Sequence, residues 1–135
     1  GLREFNFPTN AAIDASGRLF LSDTLNFSVQ VFGADLRPRY QIGRKGDMPG
    51  YFSQPKGLAV DPEGRLYVVD ANFEAIQIFD GEGALLLSMG REGRGPGEFW
   101  LPSGVATDPA GRVWVADSYN RRVQVFRPIT QGESK

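Results

Sequence analysis

Six aspartates recur at fixed spacing along the chain, and they are the residues whose pattern first suggests chemistry. Asp14, Asp61 and Asp108 lie 47 residues apart, and each is followed nine residues later by another aspartate. The second set is Asp23, Asp70 and Asp117. An array of carboxylates could bind calcium through its oxygens, or supply a general acid and a general base.

The local sequence favours a structural role for these carboxylates. Each aspartate of the first set opens an Asp-x-x-Gly turn, where its side chain can accept hydrogen bonds from backbone amides. Each aspartate of the second set ends an apolar run and is expected to fix the loop that follows. A group present in every copy builds the fold, whereas a ligand site is normally asymmetric. We therefore expect no catalytic residue, metal site or cofactor among them.

Two further chemical alternatives receive little support. The glycine-rich segment 90–97 could suggest a phosphate loop, but such a loop needs a helix N-terminus behind it, and no helix is expected there. The equivalent segment 43–50 shows that it is a repeated connection. The chain has no cysteine, which excludes thiol chemistry, and its net charge of −1 disfavours a nucleic-acid footprint.

The aspartates belong to a repeat of 47 residues that runs three times without a gap. Phe5-x-x-Pro8 recurs as Phe52-x-x-Pro55 and as Phe99-x-x-Pro102. The arginine four residues after each first-set aspartate also recurs, and is expected to pair locally (Arg18, Arg65, Arg112). A period of this size indicates a unit that cannot bury its apolar face alone and must stack on copies of itself.

The second copy predicts four short strands in an antiparallel meander. Apolar and β-branched runs occupy 57–61, 65–70, 75–80 and 84–89, with turn residues between them. No segment carries a sustained apolar period of 3.6, so almost no helix is expected. Four strands per repeat and a period in the forties are typical of a β-propeller blade. The predicted fold class is all-β, with three four-stranded antiparallel blades.

The repeats resemble the NHL repeat family of β-propellers. The third copy carries the pattern most fully, in Pro102-Ser-Gly-Val-Ala-Thr-Asp108 and Asn120-Arg-Arg-Val-Gln-Val-Phe126. Asn10 and Phe73 depart from the usual glycine and asparagine, and the family's eponymous histidine is absent. The resemblance implies an NHL-type propeller. It leaves the function open, because the family includes protein-binding, RNA-binding and enzymatic members.

The expected organisation is one propeller segment with blades at about 5–51, 52–98 and 99–130 and a C-terminal tail over 127–135. The tail contains no run like 84–89, so the third blade is expected to lack its fourth strand. A propeller closes with about four to eight blades. Three blades therefore predict half, or a fragment, of a roughly six-bladed ring. A homodimer or a larger complex would complete that ring.

The candidates for recognition are arginines and aromatics in loops that differ between copies. In a propeller, the loops between strands two and three share a face with the connections between blades. The predicted partner-binding anchors are Arg44, Phe73, Arg91, Trp100 and Tyr119. The competing role for the aromatics is to staple one blade to the next, as expected for Phe52 and Phe99. The residue after each repeated proline should rim the central channel (Thr9, Lys56, Ser103).

The favoured function is a non-enzymatic protein-binding scaffold or assembly subunit that uses the loop face and the open blade edges. One alternative is part of a lyase-like or lactonase-like propeller enzyme whose catalytic residues lie in a missing half. Such enzymes hold a metal with ligands that include histidine, which this chain lacks. A further alternative is RNA binding, but its basic residues are offset by nearby acids.

The chain offers few indications of its compartment. No apolar stretch reaches the length of a transmembrane helix, so membrane insertion is not expected. Most of the 15 cationic residues are arginine, which suits a bacterial source. A periplasmic or secreted location is slightly favoured.

Overall fold

The apolar runs form eleven β-strands in the computed structural model, which describes residues 5–127. The strands are β1 (Pro8–Ile13), β2 (Leu19–Asp23), β3 (Ser28–Phe32), β4 (Pro38–Ile42), β5 (Pro55–Val60), β6 (Leu66–Asp70), β7 (Ala75–Phe79), β8 (Leu85–Met89), β9 (Gly104–Thr107), β10 (Val113–Asp117) and β11 (Arg122–Phe126). Helical structure in the described residues is confined to two three-residue 3-10 turns, Thr24–Asn26 and Ser118–Asn120. This agrees with the absence of a 3.6-residue period.

The strands form three antiparallel sheets, in each of which strands adjacent in sequence pair with each other. The first sheet contains β1–β4, the second β5–β8, and the third, within the described residues, β9–β11. The predicted all-β fold of three blades, with eleven strand positions filled, is confirmed. The end of the third blade at 128–130, and all of the predicted tail except Arg127, lie outside the described residues.

The second sheet carries buried apolar residues on both faces because it is stacked between the other two. In β6, Leu66 and Val68 pack into a cluster with residues of the first sheet, including Phe20. Tyr67 and Val69 point the opposite way, as strand geometry requires, and pack against the third sheet. The face of a sheet that is turned towards the next sheet along the chain is called its forward face below.

The first strands of successive sheets lie side by side at the inner edge. The amide of Gly57 in β5 donates to the carbonyl of Ser103, which immediately precedes β9, at 3.1 Å. The hydroxyl of Thr107 donates to the carbonyl of Val60 at 2.7 Å. A Cβ atom at position 57 would lie only 2.7 Å from the Ser103 oxygen. Glycine at this position therefore permits the close approach of the two backbones.

The first set of aspartates closes the turns between the first and second strands. Asp61 is buried and accepts hydrogen bonds from the amides of Glu63 and Arg65, both at 2.9 Å. It also accepts from Arg65 Nε at 2.6 Å and from the Tyr67 hydroxyl at 2.8 Å. The predicted local pairing of the repeated arginines is confirmed, because the other two arginines bond their own turn aspartates in the same way.

The second set of aspartates joins each blade to the connection that precedes it. Asp70 accepts hydrogen bonds from the amides of Ser53 at 2.8 Å and Gln54 at 3.0 Å. It also accepts from the amides of Asn72 and Phe73 in the loop that follows, as the sequence predicts. Burial raises the pKa of Asp70, and the four backbone hydrogen bonds oppose that rise.

Replacing either buried aspartate should weaken the fold. We expect Asp61→Ala and Asp70→Ala each to lower the free energy of unfolding by about 1–3 kcal/mol, because buried amides lose their acceptor. Urea denaturation followed by circular dichroism measures the change. Asp80→Ala is the matched control, since Asp80 accepts from the amides of Glu82 and Ala84 at an exposed turn. The prediction is wrong if Asp61→Ala costs no more than Asp80→Ala.

Candidate partner-binding surfaces

Two kinds of loop share one face of the molecule, here called the loop face. The connections between sheets span 43–54 and 90–103, and the loops between second and third strands span 24–27, 71–74 and 118–121. They meet through backbone hydrogen bonds. The amide of Ala71 donates to the carbonyl of Gln54, and that of Tyr119 to the carbonyl of Trp100, both at 3.1 Å. The predicted sharing of a face is therefore present.

The structure brings two of the predicted anchors together on this face. The rings of Trp100 and Tyr119 meet edge to face, with centroids 5.5 Å apart. The guanidinium carbon of Arg94 lies 5.6 Å from the Trp100 ring centroid, within the range of a cation–π contact. These side chains border an open pocket of about 380 Å³, here called the arginine–aromatic pocket. Its lining residues are Arg94, Trp100, Tyr119, Asn120, Arg121 and Arg122.

The other three predicted anchors are engaged elsewhere. Arg44 stacks on Tyr51, 4.8 Å from the ring centroid, and donates to its hydroxyl. Arg91 is exposed, and its Nε lies 2.9 Å from a carboxylate oxygen of Glu98. Phe73 is half-buried and borders a shallow pocket beside residues 47–49. The five anchors thus do not form one continuous site among the described residues.

The predicted channel-rim residues occupy equivalent places at the starts of the inner strands. The Thr9 hydroxyl lies 2.9 Å from that of Thr24, and the Ser103 hydroxyl lies 2.6 Å from that of Ser118. Both hydroxyls are therefore used within their own blades. Lys56 contributes its carbonyl, which accepts a hydrogen bond from Ser22 at 2.7 Å. Each of the three residues thus makes a hydrogen bond at the inner edge.

A second surface, the forward face of the third sheet, lies open. Trp114, Val123 and Val125 are exposed on it, and sequence reasoning had not predicted Trp114 as a site residue. The indole Nε1 of Trp114 donates to a carboxylate oxygen of Asp108 at 3.0 Å. This bond, with those from Arg112, lowers the pKa of Asp108 to about 2. The arrangement fixes the indole at the edge of an apolar surface.

Within 5–127, no group of three or more histidine, cysteine, aspartate or glutamate side chains is placed to hold a metal ion. The same residues contain no helix that is long and apolar enough to cross a membrane.

Comparison with solved structures defines the class of fold. The chain is similar to Kuenenia stuttgartiensis hydrazine synthase, with a TM-score of 0.72 and 21% identity over 92% of this chain and 33% of that one. A chain of the nidogen/laminin complex matches with a TM-score of 0.66 and 20% identity, over 80% and 38% of the two chains. Virginiamycin B lyase from Staphylococcus aureus matches with a TM-score of 0.63 and 11% identity, over 93% and 43%.

These likenesses and the stacked antiparallel sheets define an all-β segment of the β-propeller class. The chain spans between 33% and 43% of the length of those three solved structures. Residues 52–79 and 99–126 match the NHL repeat family. These two segments match the family that the sequence resembles. No curated protein matches it by sequence.

Neighbouring residues Phe99 and Trp100 should respond differently to truncation. Phe99 is fully buried between the second and third sheets, so Phe99→Ala should lower the free energy of unfolding by about 3–5 kcal/mol. Trp100 is half-buried, and the second blade has Ser53 at the same position, so Trp100→Ala should cost about 1 kcal/mol or less. Urea denaturation of both variants tests this. Equal losses would make Trp100 a staple rather than a surface anchor.

The ionisation of Asp108 should depend on Trp114. In the native protein its carboxyl should titrate near pH 2, and Trp114→Phe should move the midpoint towards the ordinary value of 3.8, because the indole donor is lost. Folding lowers this pKa, so the carboxylate stabilises the fold above about pH 4 and that contribution is lost towards pH 2. Carboxyl carbon NMR measures the midpoint. Trp100→Phe is the control and should leave it unchanged.

Proposed function

We propose that the chain is a non-enzymatic protein-binding scaffold or assembly subunit. Its contacts are the open forward face of the third sheet, the edge strand β11, which among residues 5–127 pairs only with β10, and the loop face. One observation carries the proposal: side chains that are buried between sheets elsewhere in the molecule are exposed on the third sheet.

The comparison between equivalent positions is quantitative. In the first sheet, Phe20, Val29 and Val31 have exposed fractions of 1%, 0% and 0%. In the second sheet, the equivalent Tyr67, Ile76 and Ile78 have exposed fractions of 2%, 1% and 8%. In the third sheet, the corresponding fractions are 38%, 60% and 47% (Trp114, Val123, Val125). A contiguous apolar surface of this kind marks an interface.

The edge of the third sheet offers a second apolar surface. Beside β11 lies a groove of about 410 Å³, whose lining includes Ile78, Leu87, Met89 and Phe126. In the second sheet, β8 pairs with β7 at the equivalent place, where Leu87 lies opposite Ile78. An extended segment with apolar residues at alternate positions would pair with β11 in the same way and fill this groove.

The proposed occupant of the forward face is another propeller blade. Its surface chemistry matches, because the two junctions within this chain join apolar sheet faces of the same composition. We propose that a second copy, or a larger complex, supplies this blade and completes the ring. The likeness to a chain of the nidogen/laminin complex supports protein assembly as a use of this fold.

The state of the repeated carboxylates supports a non-enzymatic role. Asp14, Asp61 and Asp108 each bond a turn amide and an arginine of the same blade. The three aspartates of the second set are fully buried and bond connecting backbone. Their oxygens therefore hold the fold together.

The proposal predicts self-association of the purified chain. Light scattering after size exclusion should give a mass at least twice that of one 135-residue chain at micromolar concentration. Val123→Lys/Val125→Lys should shift the mass to that of a monomer, because two charges would have to be buried at the interface. Leu36→Lys is the control, since Leu36 is more exposed than either valine and lies at a turn of the first sheet. A wild-type chain that stays monomeric and melts cooperatively would overturn the proposal.

A further inference from the structure

The arginine–aromatic pocket holds more positive charge than the surrounding fold uses. Arg122 is satisfied, because its Nε lies 2.8 Å from Asp117 and its Nη2 donates to the carbonyls of Gly95 and Glu98 at 2.9 Å. The guanidinium groups of Arg94 and Arg121 have no ion-pair partner among residues 5–127. Arg94 rests on the Trp100 ring instead. Two cationic groups therefore border an open pocket with their hydrogen-bond donors available.

Comparison with the second blade shows that these arginines are not required for folding. The residues at the positions of Arg94 and Arg121 are Asp47 and Glu74, so the charge is reversed at both places. The backbone is nevertheless the same, with φ of 54° at Glu74 and 56° at Arg121. The fold thus accepts either charge at both positions, and the pair of arginines is a property of the third blade alone.

The aromatic pair is specific to the third blade in the same way. At the positions of Trp100 and Tyr119, the second blade has Ser53 and Asn72, and the Asn72 amide donates to the Ser53 hydroxyl at 2.7 Å. A short polar contact is therefore sufficient to hold these two loops together. The third blade replaces it with two large rings, of which Tyr119 is 60% exposed. The rings provide contact area beyond what the loop junction needs.

The nearby carboxylates leave the pocket cationic. Asp117 is buried and paired with Arg122, and Glu98 is paired with Arg91. Glu92 lines a smaller pocket that shares Arg94 and Trp100 with this one, and the Glu74 carboxylate accepts from the Leu101 amide; neither lines the arginine–aromatic pocket. Guanidinium groups bind carboxylates with two parallel hydrogen bonds, and Arg, Trp and Tyr are the residues enriched where proteins bind partners most strongly.

We infer that the arginine–aromatic pocket binds an acidic peptide segment. Carboxylates of the segment pair with Arg94 and Arg121, and an adjacent aromatic or aliphatic side chain packs on Trp100 and Tyr119. An acidic peptide fits better than RNA, because the whole chain carries a net charge of −1 and a long polyanion would meet that charge as well. The inference rests on the protein-binding function proposed above and adds the chemistry of the partner.

The chain itself offers a variant that tests the pocket. Arg94→Asp/Arg121→Glu installs the two residues that the second blade has at these positions, so the fold should be retained. Arg37→Glu/Arg39→Glu makes the same change in net charge. Both of these arginines are exposed and belong to the β3–β4 hairpin, whose turn lies at the opposite end of the sheet from the loop face. The Arg37→Glu/Arg39→Glu variant is therefore the matched control for long-range electrostatic effects.

The probe is a library of random dodecapeptides displayed on phage and selected on the wild-type 135-residue chain. Selected peptides should be rich in Asp and Glu and should contain an aromatic or aliphatic residue. Measured by fluorescence anisotropy with synthetic labelled peptides, affinity should fall at least tenfold for Arg94→Asp/Arg121→Glu and at least fivefold for Trp100→Ala. Arg37→Glu/Arg39→Glu should change it less than twofold. Replacing the peptide's Asp and Glu by Asn and Gln should abolish binding.

Four outcomes overturn the inference. The selection yields no peptides, or it yields peptides without acidic residues. Alternatively, the two double variants lose peptide affinity equally, or labelled oligouridylate RNA binds more tightly than the peptides and depends on Arg94 and Arg121. None of these affects the mass measurement that tests the proposed function, because that measurement reports on the forward face of the third sheet. A chain that self-associates without selecting acidic peptides leaves the proposed function in place. A monomeric chain that binds acidic peptides supports the pocket alone.

Discussion

The stacking of the sheets depends on a buried carboxylate at the end of each second strand. Asp23, Asp70 and Asp117 are fully buried, and each accepts hydrogen bonds from backbone amides of the segment that leads into its own blade. For Asp70 and Asp117 that segment leaves one sheet and enters the next, so the amides that these carboxylates accept from lie outside the strand ladders. A buried amide without an acceptor is costly. The carboxylate removes this cost and holds the segment in one conformation.

Once these segments are held, the apolar faces of successive sheets meet in register. Phe52 and Phe99 lie fully buried in the segments, and pack against Phe79 and Phe126 at the outer ends of the third strands with ring centroids 5.9 Å apart in both cases. The first blade makes the same contact between Phe5 and Phe32, with ring centroids 6.1 Å apart, so it carries the packing that in the other two blades faces a preceding sheet. The proposed assembly is inferred from contacts that recur in the blades, whereas the proposed pocket is inferred from residues that are specific to the third blade.

The repeated residues made the fold predictable from the sequence, because an Asp-x-x-Gly turn and a period-two strand each correspond to one local backbone conformation. The candidate site was predictable only in part. Trp100 was expected either to anchor a partner or to staple two blades, and its contact with Tyr119 of its own blade was not predicted. Arg44 stacks on the ring of Tyr51, and the other blades do not have a tyrosine at the equivalent position. Side-chain contacts of this kind depend on the directions of long side chains on irregular loops, and no residue pattern specifies those directions.

One position has the same backbone conformation in all three blades but carries a different kind of side chain in each. Phe27, Glu74 and Arg121 are equivalent residues, and all three adopt the left-handed conformation, with φ of 55°, 54° and 56°. An aromatic, an acidic and a basic residue are thus carried by the same strained turn, where glycine would be the easier choice. For protein engineering, Arg121 is the position of this set to randomise, because Phe27 packs against the core and the Glu74 carboxylate accepts a hydrogen bond from the Leu101 amide. A library varied there and at the neighbouring loop residues would display diverse chemistry on an unchanged frame.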